Sequence, residues 1–288
     1  MLTFRGSEWR RACGAVAVAF ALSMLLVPAA SAQEEGAAEP DEAKAWSNSA
    51  ELGYINTSGN TGTTTLSFGD RFTYNFTYSE FRLRLEFFKA TTRNDTLTNV
   101  GGGVQLTQET VTTAERYVAE ARFRQNLTGE VFWYGLGSWY RNTPSGIDAR
   151  YIANGGVGYR FVENTNTTFD GEIGIGLTRE DQVTDFSESF LDARAYASLR
   201  QKLGEGSELL LWGDFMDNLQ NTNDLRINAR AEVTAQIIGK LALRAWWEMY
   251  FDNEPVSVLV DVDPDQPPAL YTLRTTDRTL GISLVMSF

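Results

Sequence analysis

Histidine is absent from the 288 residues, and the only cysteine is Cys13. Without an imidazole, the usual base of a serine- or aspartate-centred hydrolase is missing. With a single thiol no intrachain disulfide can form. Lysine is scarce, limited to Lys44, Lys89, Lys202 and Lys240, and the formal net charge is −12. An acidic chain without a basic stripe argues against nucleic acid as a partner. Beyond the first thirty or so residues no apolar run approaches the roughly 18 residues that a membrane-spanning helix needs. There is also no helical stripe of useful length and no domain linker.

The N-terminus carries an export signal. Arg5, Arg10 and Arg11 precede an apolar run from Ala12 to Val27, Pro28 breaks it, and Ala30-Ser31-Ala32 is a small-residue cleavage site. Residues 1–32 are expected to be a cleaved signal peptide that removes Cys13. Cys13 lies inside the apolar run, which argues against a lipoprotein anchor. Residues 33–45 (QEEGAAEPDEAKA) are acidic and rich in small residues, and read as a flexible leader. Residues 46–288 form one domain. The mean hydropathy of the whole 288-residue chain is slightly negative, which suits a soluble exported sandwich. It also suits a barrel, whose lipid face occupies only alternate positions.

From Trp46 onward the dominant period is two, the mark of strands with one apolar face. Twelve strands can be read. In the tenth, Leu225, Ile227, Ala229, Ala231, Val233, Ala235 and Ile237 alternate with Arg226, Asn228, Arg230, Glu232, Thr234 and Gln236. The second carries Leu66, Phe68, Phe72, Tyr74 and Phe76 on one parity, with Asp70 as a misfit. The fifth (131–142) and ninth (207–219) do not declare a face. In the last, Leu280, Ile282, Leu284, Met286 and Phe288 share one side. The strands are expected to run about 10 to 14 residues, near what a tilted bilayer-spanning strand requires. Tight turns follow the even-numbered strands, and generally longer polar connections follow the odd ones. The longest are 94–114, with room for strand extensions, and 253–269. A sheet in lipid must close on itself. The expected fold is therefore all-β: a single transmembrane antiparallel up-and-down barrel of about twelve strands, with periplasmic turns and extracellular loops. Trp46, Tyr54, Phe76, Phe81, Tyr140, Tyr151, Phe161 and Phe169 lie near strand ends, as interfacial girdles would. A terminal Phe288 on an alternating strand resembles the closing strand of bacterial outer-membrane barrels, where it serves as an assembly signal.

In such a barrel the charged parity faces inward. Arg84 and Glu86 on the third strand, and Glu120, Arg122 and Arg124 on the fourth, become lumen-lining. So do Arg160 and Glu172 on the sixth and seventh, and Asp192 and Arg194 on the eighth. Arg226, Arg230, Glu232, Arg244 and Glu248 complete the set. Mixed signs allow bidentate Arg–carboxylate ladders, so the lattice serves either as scaffolding that fills the interior or as a small charge-lined passage for solute. The many glycines of the sixth and seventh strands suit tight curvature or close packing. No catalytic, cofactor or metal residue is expected. Asp181, Asp185, Asp261 and Asp263 leave a loop-carboxylate hydrolase as a lesser alternative, and Asp261, Asp263 and Asp265 form only a weak calcium pattern interrupted by Pro264.

The segments AELGYINTSGNTGTTTLSF (50–68), ERYVAEARFRQNLTGEVFWYGLGSWYRN (115–142) and NGGVGYRFVENTNTTFDGEIGIGLTRED (154–181), with terminal Phe288, resemble the domain of unknown function 481 family of YdiY-like, salt-induced outer-membrane proteins. The resemblance covers nearly the whole domain. It implies barrel architecture and the outer membrane of a Gram-negative bacterium, and assigns no activity. The location in turn implies lipid, lipopolysaccharide and the barrel-assembly machinery as partners. The functional expectation is a non-enzymatic structural or stress-responsive barrel, with a porin-like small-solute channel as the alternative.

Overall fold

The computed structural model describes residues 45–57, 61–100, 103–260 and 267–288. The expected signal peptide and all but the last residue of the leader lie outside the described residues. Twelve strands form one closed antiparallel barrel. In chain order they are β1 (Trp46–Thr57), β2 (Thr61–Asn75), β3 (Ser79–Val100), β4 (Gly103–Asn126), β5 (Val131–Asn142), β6 (Ile147–Glu163), β7 (Thr167–Gln182), β8 (Ser187–Gly204), β9 (Ser207–Asn218), β10 (Leu225–Ile238), β11 (Leu241–Asp252) and β14 (Thr276–Ser287). Each pairs with its neighbours in sequence. β14 pairs with both β11 and β1, so the ring closes where the chain ends.

Two expectations about the connections change. The 94–114 stretch is no loop: β3 and β4 continue as a paired hairpin up to Val100 and Gly103, past the end of their pairing with β2 and β5. The 253–269 connection contains strand β12 (Ser257–Val260), which pairs with β13 (Ala269–Thr272) in a separate two-stranded sheet. The closing strand begins at Thr276, and Tyr271 belongs to β13. Barrel strands run from 12 to 24 residues, longer than expected. The turns after even-numbered strands are two to four residues, and the connections after β5 and β7 are four each, so the two ends differ mainly through the β3–β4 hairpin, the six residues after β9 and the β11–β14 connection. The shortest turns put glycine at positive φ, at Gly206 (+80°) and Gly239 (+53°), which a side chain would strain.

The barrel is apolar outside and charged inside. Leu280, Ile282 and Leu284 of β14 are 77, 58 and 50% exposed, while Ser283 and Val285 on the other parity are buried. β6 and β7 follow the same rule: Val157, Ile173 and Ile175 point out, whereas Asn154, Asp170 and Glu172 are buried. Asp70 is the exception anticipated in β2. It lies on the outward parity between Ala50 and Leu85, is nearly fully covered, and accepts from Asn48 Nδ2 at 3.4 Å.

The two unorientable strands explain the glycines. β5 turns Phe132 and Tyr134 inward, each 1% exposed, and Tyr140, expected at an interface, also points inward against Tyr250. Aromatic rings there need bare backbone opposite. A Cβ on Gly158 would strike the Phe132 ring, and one on Gly174 the Tyr134 hydroxyl. That hydroxyl donates to Asn154 Oδ1 at 2.8 Å. Gly158→Val and Gly174→Val are therefore expected to cost about 2 kcal/mol each, read as urea unfolding of the refolded protein by tryptophan fluorescence. Gly137→Ala, with nothing within 4 Å of its new methyl, is expected to leave the midpoint unchanged.

Candidate functional site: the lumen

Twelve strands enclose a lumen wider than the eight-stranded case that side chains just fill. Filling it takes long side chains, and charges placed there must find partners because water is largely displaced. Arginine suits this role better than lysine, since its planar fork binds carboxylates bidentately and stacks on rings.

The central group joins four guanidiniums to four carboxylates. Arg71 meets Glu232 in a bidentate pair at 2.5 and 2.8 Å. Arg230 reaches Glu86 at 3.0 Å and Glu232 at 2.7 Å. Arg116 reaches Glu248 at 2.6 Å, and Arg244 reaches Glu51 at 2.6 Å. Arg230, Glu232 and Glu248 side chains are 2% exposed or less. With equal numbers of each sign, the group carries no net charge. The Arg230 guanidinium also lies 4.7 Å from the Trp246 ring centre, a cation–π contact made stronger by desolvation.

Three further groups repeat the pattern. Beside the centre, Glu172 accepts from both Arg122 and Arg194, Arg194 continues to Asp214 at 2.9 Å, and Arg84 donates to Glu120 at 3.0 Å. Near the short turns, Asp170 is held by Arg124 (3.0 Å) and Arg160 (3.2 Å). Towards the opposite end, Arg150 pairs with Glu180 at 2.6 Å and Arg226 with Asp224 at 2.5 Å. Asp192 is satisfied without an ion pair, accepting from Thr178 at 2.8 Å and Asn154 at 3.4 Å.

Several contacts cross the whole lumen. β5 and β11 stand six places apart in a ring of twelve, directly opposite, yet the rings of Tyr140 and Tyr250 are 5.5 Å apart. Arg116 of β4 and Glu248 of β11 are five places apart, as are Arg230 of β10 and Glu86 of β3. Side chains bridge the interior from wall to wall.

All fourteen residues proposed from sequence as lumen-lining sit on the inward parity; thirteen take part in these ion-pair groups, and Asp192 is held by Thr178 and Asn154 instead. Sequence reasoning left Glu51, Arg71, Arg116, Asp170, Glu180 and Asp214 out of that set. Glu51 alternates with the outward Leu52 and Tyr54, so its parity was a usable signal, as it was for Arg71 beside Asp70. Asp214 lies on β9, whose orientation its sequence does not declare. Among the described residues no group of three or more His, Cys, Asp or Glu side chains could hold a metal ion. Of the loop carboxylates, Asp181 is paired with Arg179 at 3.3 Å, and Asp261, Asp263 and Asp265 lie outside the described residues.

The family model described as "Protein of unknown function, DUF481" matches residues 50–288. The chain belongs to the DUF481 family. It is similar to "Uncharacterized protein YdiY" of Escherichia coli (strain K12), 27% identical over 179 residues, which are 59% of this chain and 63% of that relative. The match thus spans less than two thirds of the relative's length. Among solved structures, this DUF481 chain is similar to the NanC porin, with TM-score 0.44 and 7% identity over 83% of this chain and 98% of that one. It is likewise similar to the translocator domain of autotransporter NalP from Neisseria meningitidis, with TM-score 0.44 and 12% identity over 98 and 97%.

The buried pairs make a stability prediction. Arg230→Ala leaves Glu86, Glu232 and Glu248 short of a cation and is expected to destabilise by about 3–5 kcal/mol. Arg200→Ala breaks an exposed pair with Glu208 (54 and 34% exposed) and is expected to cost at most about 1 kcal/mol. Urea midpoints of the two refolded variants, compared with wild type, give both values.

Proposed function

We propose that this DUF481 protein is an integral barrel of the bacterial outer membrane whose lumen is closed, and that its role is structural and non-enzymatic. The observation that carries the closed reading is the wall-to-wall contact across the interior. Tyr140–Tyr250, Arg116–Glu248 and Arg230–Glu86 join strands on opposite or nearly opposite sides, and the charges of the central group are engaged by one another. Membrane placement is supported by the outward apolar parity and by closure of the sheet, which gives every barrel strand a partner on both sides. The outward-facing Tyr54, Tyr151 and Phe161 near strand ends suit a lipid–water interface.

In this reading the outer face meets phospholipid and lipopolysaccharide. The barrel-assembly machinery would take hold of β14, where Phe288 continues the outward stripe and its N–H donates to the Asn48 carbonyl at 2.9 Å. That bond sits at the seam where the first and last strands meet, the place an assembly signal would act.

Planar-bilayer conductance of refolded protein tests the closed reading, with folding established by heat-modifiable migration. The expected result is no steady steps at either low or high salt. Discrete steps whose size scales with salt would overturn it in favour of a narrow channel.

A further inference from the structure

Arginine is paired almost everywhere in this protein. Among the described residues, each arginine but two has a carboxylate partner. The two without one are Arg274 and Arg278, and both are exposed. They stand four positions apart at the start of the closing strand. With Thr276 and Asp277 they line a surface hollow of about 470 Å³. Asp277 is turned away from them: it pairs with Tyr250 on the inward parity and accepts from Ser145 Oγ at 2.5 Å. Asp252, whose N–H donates to the Thr275 carbonyl, likewise sends its carboxylate inward, to Arg150 and Arg226.

The rest of this rim differs. Lys89, Arg93, Arg141 and Arg179 also lie on the outward parity towards the longer connections. Each has its own carboxylate, in Glu115, Asp95, Asp148 and Asp181, at 3.0 to 3.5 Å. Among the described residues, an anion reaching the outer wall at this end meets uncancelled guanidiniums only on β14 and just before it.

Below Arg278 the same parity becomes apolar, through Leu280, Ile282 and Leu284. Leu280, at 77%, is the most exposed large apolar residue described. The seam gives the reason. β14 pairs with β11 over eleven positions but with β1 over four, Ser49–Ser287 to Leu52–Leu284. Above Leu284 the outward side chains of β14 are therefore flanked closely on one side alone. Tyr54, two positions above Leu52 on the other side of the seam, is also exposed, at 62%. Two free cations over an exposed apolar stripe match an anionic lipid, with its headgroup at the interface and its chains beneath.

We propose that the outer end of β14 is a binding site for a phosphorylated lipid, its phosphate held between Arg274 and Arg278 and an acyl chain laid against Leu280, Ile282 and Tyr54. The four-residue interval is at most about 13 Å along the chain, which two long side chains close from either end. Thr276 lies between them on the parity of Arg278, and its hydroxyl adds a donor. The proposal rests on the outer-membrane reading above. The short turns then face the periplasm, this end lies in the outer leaflet, and the lipid is the phosphorylated glycolipid of lipopolysaccharide.

Native mass spectrometry of the refolded protein in detergent, titrated with bisphosphorylated lipid A, tests this. One retained molecule per barrel is expected. Arg278→Ser should weaken retention about fivefold and Arg274→Ser/Arg278→Ser about 25-fold, at about 1 kcal/mol per basic residue. Dephosphorylated lipid A should bind as weakly to wild type as lipid A does to the double variant, and inorganic phosphate should not be retained. Arg179→Ser, which removes an outward arginine already paired with Asp181, should leave retention unchanged. Heat-modifiable migration establishes folding, and if the double variant does not fold, Arg278→Ser decides alone. No retained lipid A, wild-type retention in the folded arginine variants, equal loss in Arg179→Ser, or retention of inorganic phosphate would each overturn the proposal. Fractionation of expressing cells is read separately. Recovery outside the outer membrane would sink the membrane reading, whereas the detergent titration decides the site.

Discussion

The structure depends on one constraint: charges taken out of water inside a narrow lumen must be paired with good geometry. A closed sheet of twelve strands has no second layer to pack against, so its apolar parity goes outward and its polar parity must fill the interior. Isolated carboxylates and guanidiniums there would cost several kcal/mol apiece. The chain meets this with arginines that each use more than one face. Arg230 binds Glu86 and Glu232 through its edge and Trp246 through its plane, and Arg194 does the same with Glu172, Asp214 and Tyr196. Such forked contacts fix where each strand stands relative to strands it never pairs with. Arg71 of β2 and Glu232 of β10, 161 positions apart, tie together two parts of the wall that share no backbone hydrogen bond.

Alternation made most of the barrel readable from sequence, because a strand with lipid or apolar contact on one side and charge on the other must alternate. β10 shows this plainly: its apolar positions point out, and Arg226, Arg230 and Glu232 point in. Where both faces want the same chemistry, the signal disappears. β5 places Trp133 and Trp139 outside and Phe132, Tyr134 and Tyr140 inside, so its parity carries no information. What fixes it is the bare backbone at Gly158 and Gly174, and that is visible only once the pairing register is known. The β3–β4 hairpin was hidden for the opposite reason. Past its pairing with β2 and β5 no face of it belongs to the barrel wall, so no alternation survives. The threonines that looked like loop composition are good strand formers.

The ion-pair partners were less accessible still. Parity assigns a side to each residue but not a height or a partner across the lumen. That Arg116 reaches Glu248 across the lumen at 2.6 Å, closer than Glu86 on the adjacent strand at 3.7 Å, depends on tilt and stagger around the whole ring, quantities no single strand encodes. Glu51, Arg71 and Asp214 follow the same logic. Each obeys its strand's alternation, and each matters because of a residue on a distant strand.

Filling the middle of the lumen with neutral, mutually satisfied pairs has a consequence for the two ends. The turn side is short and uniform, closed by connections of two to four residues and by the Asp170 pairs just above them. The other side carries the long β3–β4 extension and the β12–β13 sheet. A rigid centre separates these ends mechanically, since a change at the loop side meets an interior locked from wall to wall. Residues above the lock can then be less than fully paired without loosening the barrel. Asn228 with its free carbonyl oxygen, and Asp252 held only at 3.5 and 3.8 Å by Arg150 and Arg226, are of that kind.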